Sequence, residues 1–101
     1  MYNALMKYKY IKDEIAERNE EALFIDGLDG DTEAFNGALV GWGERCGLGP
    51  VAIYDVVKII SILETKYKMS HDEANEWYDY NIVGAYMGEN TPIFICDLRE
   101  N

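Results

Sequence analysis

The residues of this chain best spaced for chemistry are Asp29-Gly30-Asp31-Thr32-Glu33, which set oxygen ligands at alternate positions as the first half of an EF-hand loop does. The second half is missing. Ala34 stands where the turn glycine is required, and Val40 where the bidentate glutamate is required. Polar turn chemistry accounts for these acids, so no calcium site is expected. His71 is the single histidine, so a zinc site or a histidine acid–base pair would have to draw its other members from elsewhere. In the first turn of a helix it reads as a solvated residue. Cys46 lies beside Arg45 in a glycine-rich loop, a setting that lowers a thiol pKa, yet no histidine is near it in sequence. A buried or inert thiol is the reading, and if Cys46 and Cys96 meet across strands a reducing cytosol keeps both as thiols.

Gly41, Gly43, Gly47 and Gly49 lack the strand-to-helix setting and the following GKS/T of a phosphate cradle, and tight turns and bulges explain them. Carboxylate pairs are abundant, but no pair is marked as buried with a raised pKa. The chain therefore reads as a non-enzyme with no catalytic residue, no metal site and no cofactor.

What remains is surface. Asp13, Glu14, Glu17, Glu20 and Glu21 fall within an arc of about 120° on a first helix. Asp72, Glu76 and Asp79 form a stripe on a later helix, three and four residues apart, and Asp26, Asp29 and Asp31 cluster in a loop. These acids are the expected partner-binding residues, because a carboxylate row that meets a basic groove stands in for a phosphate backbone. The bland alternative is a solvated face that keeps the protein in solution. Eight tyrosines are a heavy load for the length, and Tyr2, Tyr10 and Tyr80 fall off the core faces, as interface tyrosines do.

The elements that must position these groups follow from periodicity. Asn3 to about Ala22 reads as an amphipathic helix with Ala4, Leu5, Tyr8, Ile11, Ile15 and Ala22 on its apolar side. It stops near Phe24-Ile25, before the turn-rich 26–31, with Leu23-Phe24-Ile25 a candidate short strand and Thr32–Asn36 a candidate helical turn. Ala38–Arg45 and Val51–Tyr54 read as strands joined by the loop Cys46–Pro50, a hairpin. Asp55 caps a core helix, Val56–Tyr67. Ser70 and Glu73 form a capping box, with Met69 and Ala74 as its staple, for a third helix running to about Met87 and ended by Gly88. Its apolar face is Ala74, Trp77, Tyr78, Asn81 and Ala85, with Trp77 buried. Ile93–Cys96 is a third strand. The expected fold is α+β, a small antiparallel sheet of about three strands against about three helices, in the order α-β-β-α-α-β. Residues 1–101 make one domain, an acidic amphipathic helix over 1–24 and an α+β core over 35–96.

Composition agrees. The 101 residues hold nineteen acids against nine bases, a net charge of −10, which repels nucleic-acid phosphates and anionic membranes. Neither direct nucleic-acid binding nor a membrane role is expected. Lys7, Lys9, Lys12 and Asp13 interrupt any signal-peptide core, so a cytoplasmic protein is expected.

From about Phe35 to Ile95 the chain resembles a group of small phage and prophage proteins. The residues that carry this are Glu44-Arg45-Cys46-Gly47, Val51-Ala52-Ile53-Tyr54-Asp55, Met69-Ser70 with Glu73-Ala74, and most specifically 80–89 (Tyr-Asn-Ile-Val-Gly-Ala-Tyr-Met-Gly-Glu) with Thr91-Pro92. The loop 47–50 departs from the group's polar, proline-rich turn, and the first thirty or so residues lie outside the resemblance. The resemblance implies one small α+β unit and brings no established catalytic residues to carry over. It also implies, together with the charge, a protein of the host cytoplasm that binds and inhibits a host defence or nucleic-acid-processing complex, in the manner of anti-CRISPR proteins. Its partner would carry a basic nucleic-acid-binding groove. The alternative is an accessory or regulatory phage domain that self-associates as a homodimer through its aromatic surface.

Overall fold

The computed structural model of the protein describes residues 4–85 and 87–97. The expected helix start at Asn3, and Tyr2 and Tyr86, lie outside the described residues, as do the side chains of Ala4 and Leu5.

Helix α1 spans Ala4–Arg18, and its Ile11 and Ile15 are buried as the apolar stripe requires. It ends four residues before Ala22 because Asn19 leaves the helix to serve other segments. The Asn19 Nδ2 donates to the Pro50 carbonyl and to Asn90 Oδ1, each at 2.9 Å. Its Oδ1 accepts from the Glu21 amide at 3.2 Å. Residues 22–27 form no strand. That segment is nevertheless fixed, with the Leu23 amide donating to the Asn90 carbonyl at 3.2 Å and the Ile25 amide to the Tyr54 hydroxyl at 3.1 Å.

After a 3-10 turn at Asn36–Ala38, strands β1 (Leu39–Arg45) and β2 (Leu48–Asp55) pair antiparallel. The hairpin turn is tighter than the five-residue connection expected, because Gly47 takes the left-handed φ of 80° and lets β2 begin at Leu48. The ladder slips twice, between Leu39 and Gly41 and between Gly43 and Arg45, in keeping with the bulges the glycines implied. Strand β3 (Ile93–Ile95) adds to β2 in parallel register, with Tyr54 opposite Phe94. The sheet is therefore mixed, in the order β1-β2-β3, where an all-antiparallel sheet was expected. The reason is topological. Two helices intervene between β2 and β3, and a connection of that length can return the chain to run beside β2 in the same direction.

Asp55 caps helix α2 (Val56–Lys66), its Oδ1 accepting from the Val57 amide at 2.9 Å. Ser70 and Glu73 form the complete capping box of helix α3 (His71–Tyr78). The helix does not continue to Met87. At Asp79–Val83 it widens into one π-turn, closed by the Gly84 amide donating to the Asp79 carbonyl at 2.9 Å. A Cβ on Gly84 would stand 3.0 Å from that carbonyl, so glycine fits where the turn closes. Gly84, not Gly88, ends the helix. The extra residue in the turn shifts the face, so Ala74, Tyr78 and Ile82 are buried while Asn81 and Ala85 are exposed and Trp77 is half-buried.

One core joins all of these elements. Ile11 and Ile15 of α1, Ala52 and Tyr54 of β2, Ile59 and Leu63 of α2 and Tyr78 of α3 belong to a single buried cluster. Tyr54 is its largest fully buried side chain, and Phe94 connects the sheet to α3 through Tyr54 (centroids 6.2 Å apart) and Tyr78 (5.9 Å, edge-on). Among the described residues no helix is long and apolar enough to cross a membrane.

Candidate functional site

The acidic residues separate into two populations once their partners are known. Asp13 pairs with Lys9 at 2.9 Å, and Glu14 pairs with Arg18, whose guanidinium lies 4.6 Å from the centre of the Trp42 ring. Asp29 accepts from the Tyr67 hydroxyl at 2.8 Å and from the Asp31 amide at 3.2 Å. Those two bonds, the Tyr67 bond foremost, hold its carboxyl below the usual range. Asp31 accepts from the Glu33 amide at 2.9 Å and faces Lys66 at 3.4 Å. These four acids are engaged within the fold. Asp29 and Asp31 shape the turn through these backbone bonds, and among the described residues no group of three His, Cys, Asp or Glu side chains converges.

Glu17, Glu20, Glu21, Asp26, Asp72, Glu76 and Asp79 are exposed, and their carboxylates make no hydrogen bond or ion pair with another described residue. Their arrangement differs from the sequence reading in one respect. Glu20 and Glu21 lie past the end of α1, in the turn that Asn19 holds, so the five N-terminal acids do not share one helical arc. Asp72 and Glu76 do lie on α3, four residues apart, with Asp79 at the start of the π-turn.

His71 is exposed, and its Nδ1 lies 2.9 Å from Glu64 Oε2, a contact that links the ends of α2 and α3. Cys46 and Cys96 are both free and both exposed, so of the buried or inert thiol expected at Cys46 the buried alternative is corrected: the residue sits in the β1–β2 turn, exposed among the described residues.

The sequence reading missed one feature. Beside Phe94 the chain leaves an apolar cleft of about 280 Å³. The segment Leu23–Asp26 forms one wall, Trp77 and the π-turn residues Asn81 and Ile82 a second, and Ala85, Met87, Thr91 and Pro92 the third. Periodicity could not reveal it, because its walls come from an irregular segment and from a helix whose period changes partway. The signal available was Trp77 at a position one step off the Ala74–Tyr78 stripe. Met87 of the lining is 68% exposed, and Tyr80 (77%) and Val83 (52%) flank the wall residues Asn81 and Ile82 in sequence; Tyr10 on α1 is also exposed.

Comparison with protein-family models, with curated proteins and with solved structures finds no match to this chain.

Proposed function

We propose that the protein acts by binding and has no catalytic activity. In this reading it works in the host cytoplasm as an anti-CRISPR-like phage protein, laying its acidic surface into the basic nucleic-acid groove of a defence or nucleic-acid-processing complex. The observation that carries the proposal is the set of exposed carboxylates that form no hydrogen bond or ion pair among the described residues, above all Glu17, Glu20 and Glu21 at one end and Asp72, Glu76 and Asp79 along α3 and the start of the π-turn. Like charges four residues apart on a helix cost a few tenths of a kcal/mol, so the Asp72–Glu76 spacing does not stabilise α3 through side-chain pairing, although Asp72 favours its start through the helix dipole. The resemblance of 35–95 to phage proteins supports the same reading.

The experiment is affinity capture from a bacterial host lysate at low salt, followed by displacement with double-stranded DNA. A nucleic-acid-handling partner that DNA and added salt both release supports the proposal. A partner that DNA does not compete off, or that binds equally at high salt, argues against groove occupation. The second reading, a self-associating accessory domain, is favoured by the exposed Tyr80, Val83 and Met87. Sedimentation at micromolar concentration distinguishes it, since that reading requires a dimer.

A further inference from the structure

We propose that the cleft beside Phe94 is an anchor pocket for one large apolar side chain carried on a cationic segment of a partner protein. Its walls are apolar and aromatic, with Phe24, Trp77, Ile82, Pro92 and Phe94 around a volume of about 280 Å³. That lies below the roughly 300–1,000 Å³ of sites built for whole cofactors or drug-sized ligands. It suits a single buried side chain of the kind that dominates protein interfaces.

Charge selects the carrier. Asp26 is the one charged residue in the lining, and it is a carboxylate. Asp79 lies two residues before Asn81 of the wall, and Glu89 lies between the lining residues Met87 and Thr91; both are exposed. Two cations also stand near the mouth, since Lys12 lies 5.4 Å from the Phe24 ring centre and acts through its charge on Asp26, and the Arg45 guanidinium donates to the Glu89 carbonyl, so the three carboxylates leave the mouth net acidic. A segment with Lys or Arg flanking the anchor therefore meets opposite charge at the mouth. A second copy of the chain is disfavoured as occupant because it brings another −10 of like charge. The π-turn sets Asn81 and Ile82 in the wall at the cost of regular helix geometry, and such turns recur at functional sites.

This inference rests on the proposed function in taking the protein's work to be binding and shares Asp79 with its acidic set; the Leu-dependent anchoring uses the cleft alone. The test uses the full chain with Trp42→Phe, which leaves Trp77 as the one tryptophan. The probe is a capped peptide, Gly-Lys-Arg-Leu-Lys-Arg-Gly, titrated while Trp77 emission is followed. Saturable change is expected, with binding at least about tenfold weaker for the peptide bearing Ala in place of Leu. A peptide retaining Leu but with Ser in place of the basic residues should also bind more weakly. Ala85→Phe, which fills the cleft from an exposed position, should abolish the Leu-dependent binding. Met87→Lys, a surface change with no core consequence, should weaken it through like charge. Equal binding of the Leu and Ala peptides overturns the proposal, as does undiminished Leu-peptide binding by both variants. Failure of the groove reading shows elsewhere, in the DNA competition, and leaves the Leu-to-Ala ratio untouched.

Discussion

The Tyr67 hydroxyl donates to Asp29 Oδ1 at 2.8 Å, and the backbone of Gly27 passes directly beneath that bond. A Cβ on Gly27 would run into the hydroxyl and stand 2.7 Å from the Ala34 Cβ. The acidic turn is thus fastened to the end of α2 through a gap that only glycine leaves open.

Gly27→Ala should therefore destabilise the protein by about 1–3 kcal/mol, as overpacking does. Tyr67→Phe should act differently, through pH. The bonds to Asp29 hold its carboxyl below the ordinary value, so they contribute stability above that value and lose it as pH falls through the lower, folded-state pKa. Wild type should unfold at a higher temperature than Tyr67→Phe at about pH 6, and the two should converge near about pH 2. A gap that stays constant with pH would mean that the bond does not influence stability through Asp29.

Tyr54 gives the opposite sign at the other end of the scale. Burial pushes its phenol up to about 12, although the Ile25 amide that bonds it pulls the other way. The raised value contributes stability below about pH 10 that is lost as the solution passes from about 10 toward about 12. Tyr78, raised to about 12 mainly by burial, adds to the same window. Tyr54→Phe leaves the Ile25 amide without its acceptor and should cost about 1–2 kcal/mol at neutral pH. That deficit should shrink as pH climbs through the window, which urea titrations at neutral and alkaline pH would show.

Ser70→Ala should cost about 1 kcal/mol, because the side chain accepts from the Glu73 amide at 3.1 Å while Glu73 accepts from the Ser70 amide at 2.8 Å. The backbone bond from Ser70, with the serine side chain, keeps the Glu73 carboxyl below its usual range, so its share of the cap fades as pH falls. An unchanged urea midpoint would place the helix start elsewhere.

That capping box was legible in the sequence because four residues within one turn determine it. The Asp55 cap, the two-stranded hairpin and the apolar stripe of α2 were legible for the same reason, since each is settled by local spacing. What could not be read depends on distant partners. The parallel pairing of β3 is decided by how the chain returns across two helices. The early end of α1 follows from Asn19 bonding Pro50 and Asn90, far along the chain. The π-turn moved Ile82 inward and Asn81 to the cleft, a change of one residue in register that a fixed 100° step cannot represent. The acidic surface was legible as charge but not as availability, because pairing of Glu14 with Arg18 or Asp29 with Tyr67 exists only in the folded chain.

Availability sharpens the last prediction. Glu17, Glu20 and Glu21 form no ion pair among the described residues, and Glu17 acts only through charge on exposed Arg18, so reversing all three to lysine should lower the thermal midpoint only slightly. Reversing Asp72, Glu76 and Asp79 also loses the favourable Asp72 charge at the start of α3. Reversal of Asp13 and Glu14 would instead break pairs with Lys9 and Arg18 and confuse folding with binding. Against a captured groove-bearing partner, the Glu17/Glu20/Glu21 reversal should weaken affinity more than the Asp72/Glu76/Asp79 reversal, because these acids are more closely spaced along the chain. The loss should be largest at low salt and should shrink as ionic strength rises, since the attraction between exposed charges is screened over about 8–10 Å. Wild-type affinity in both triple variants at low salt would refute groove mimicry, while a loss confined to the α3 variant would move the contact to the helix that also borders the cleft.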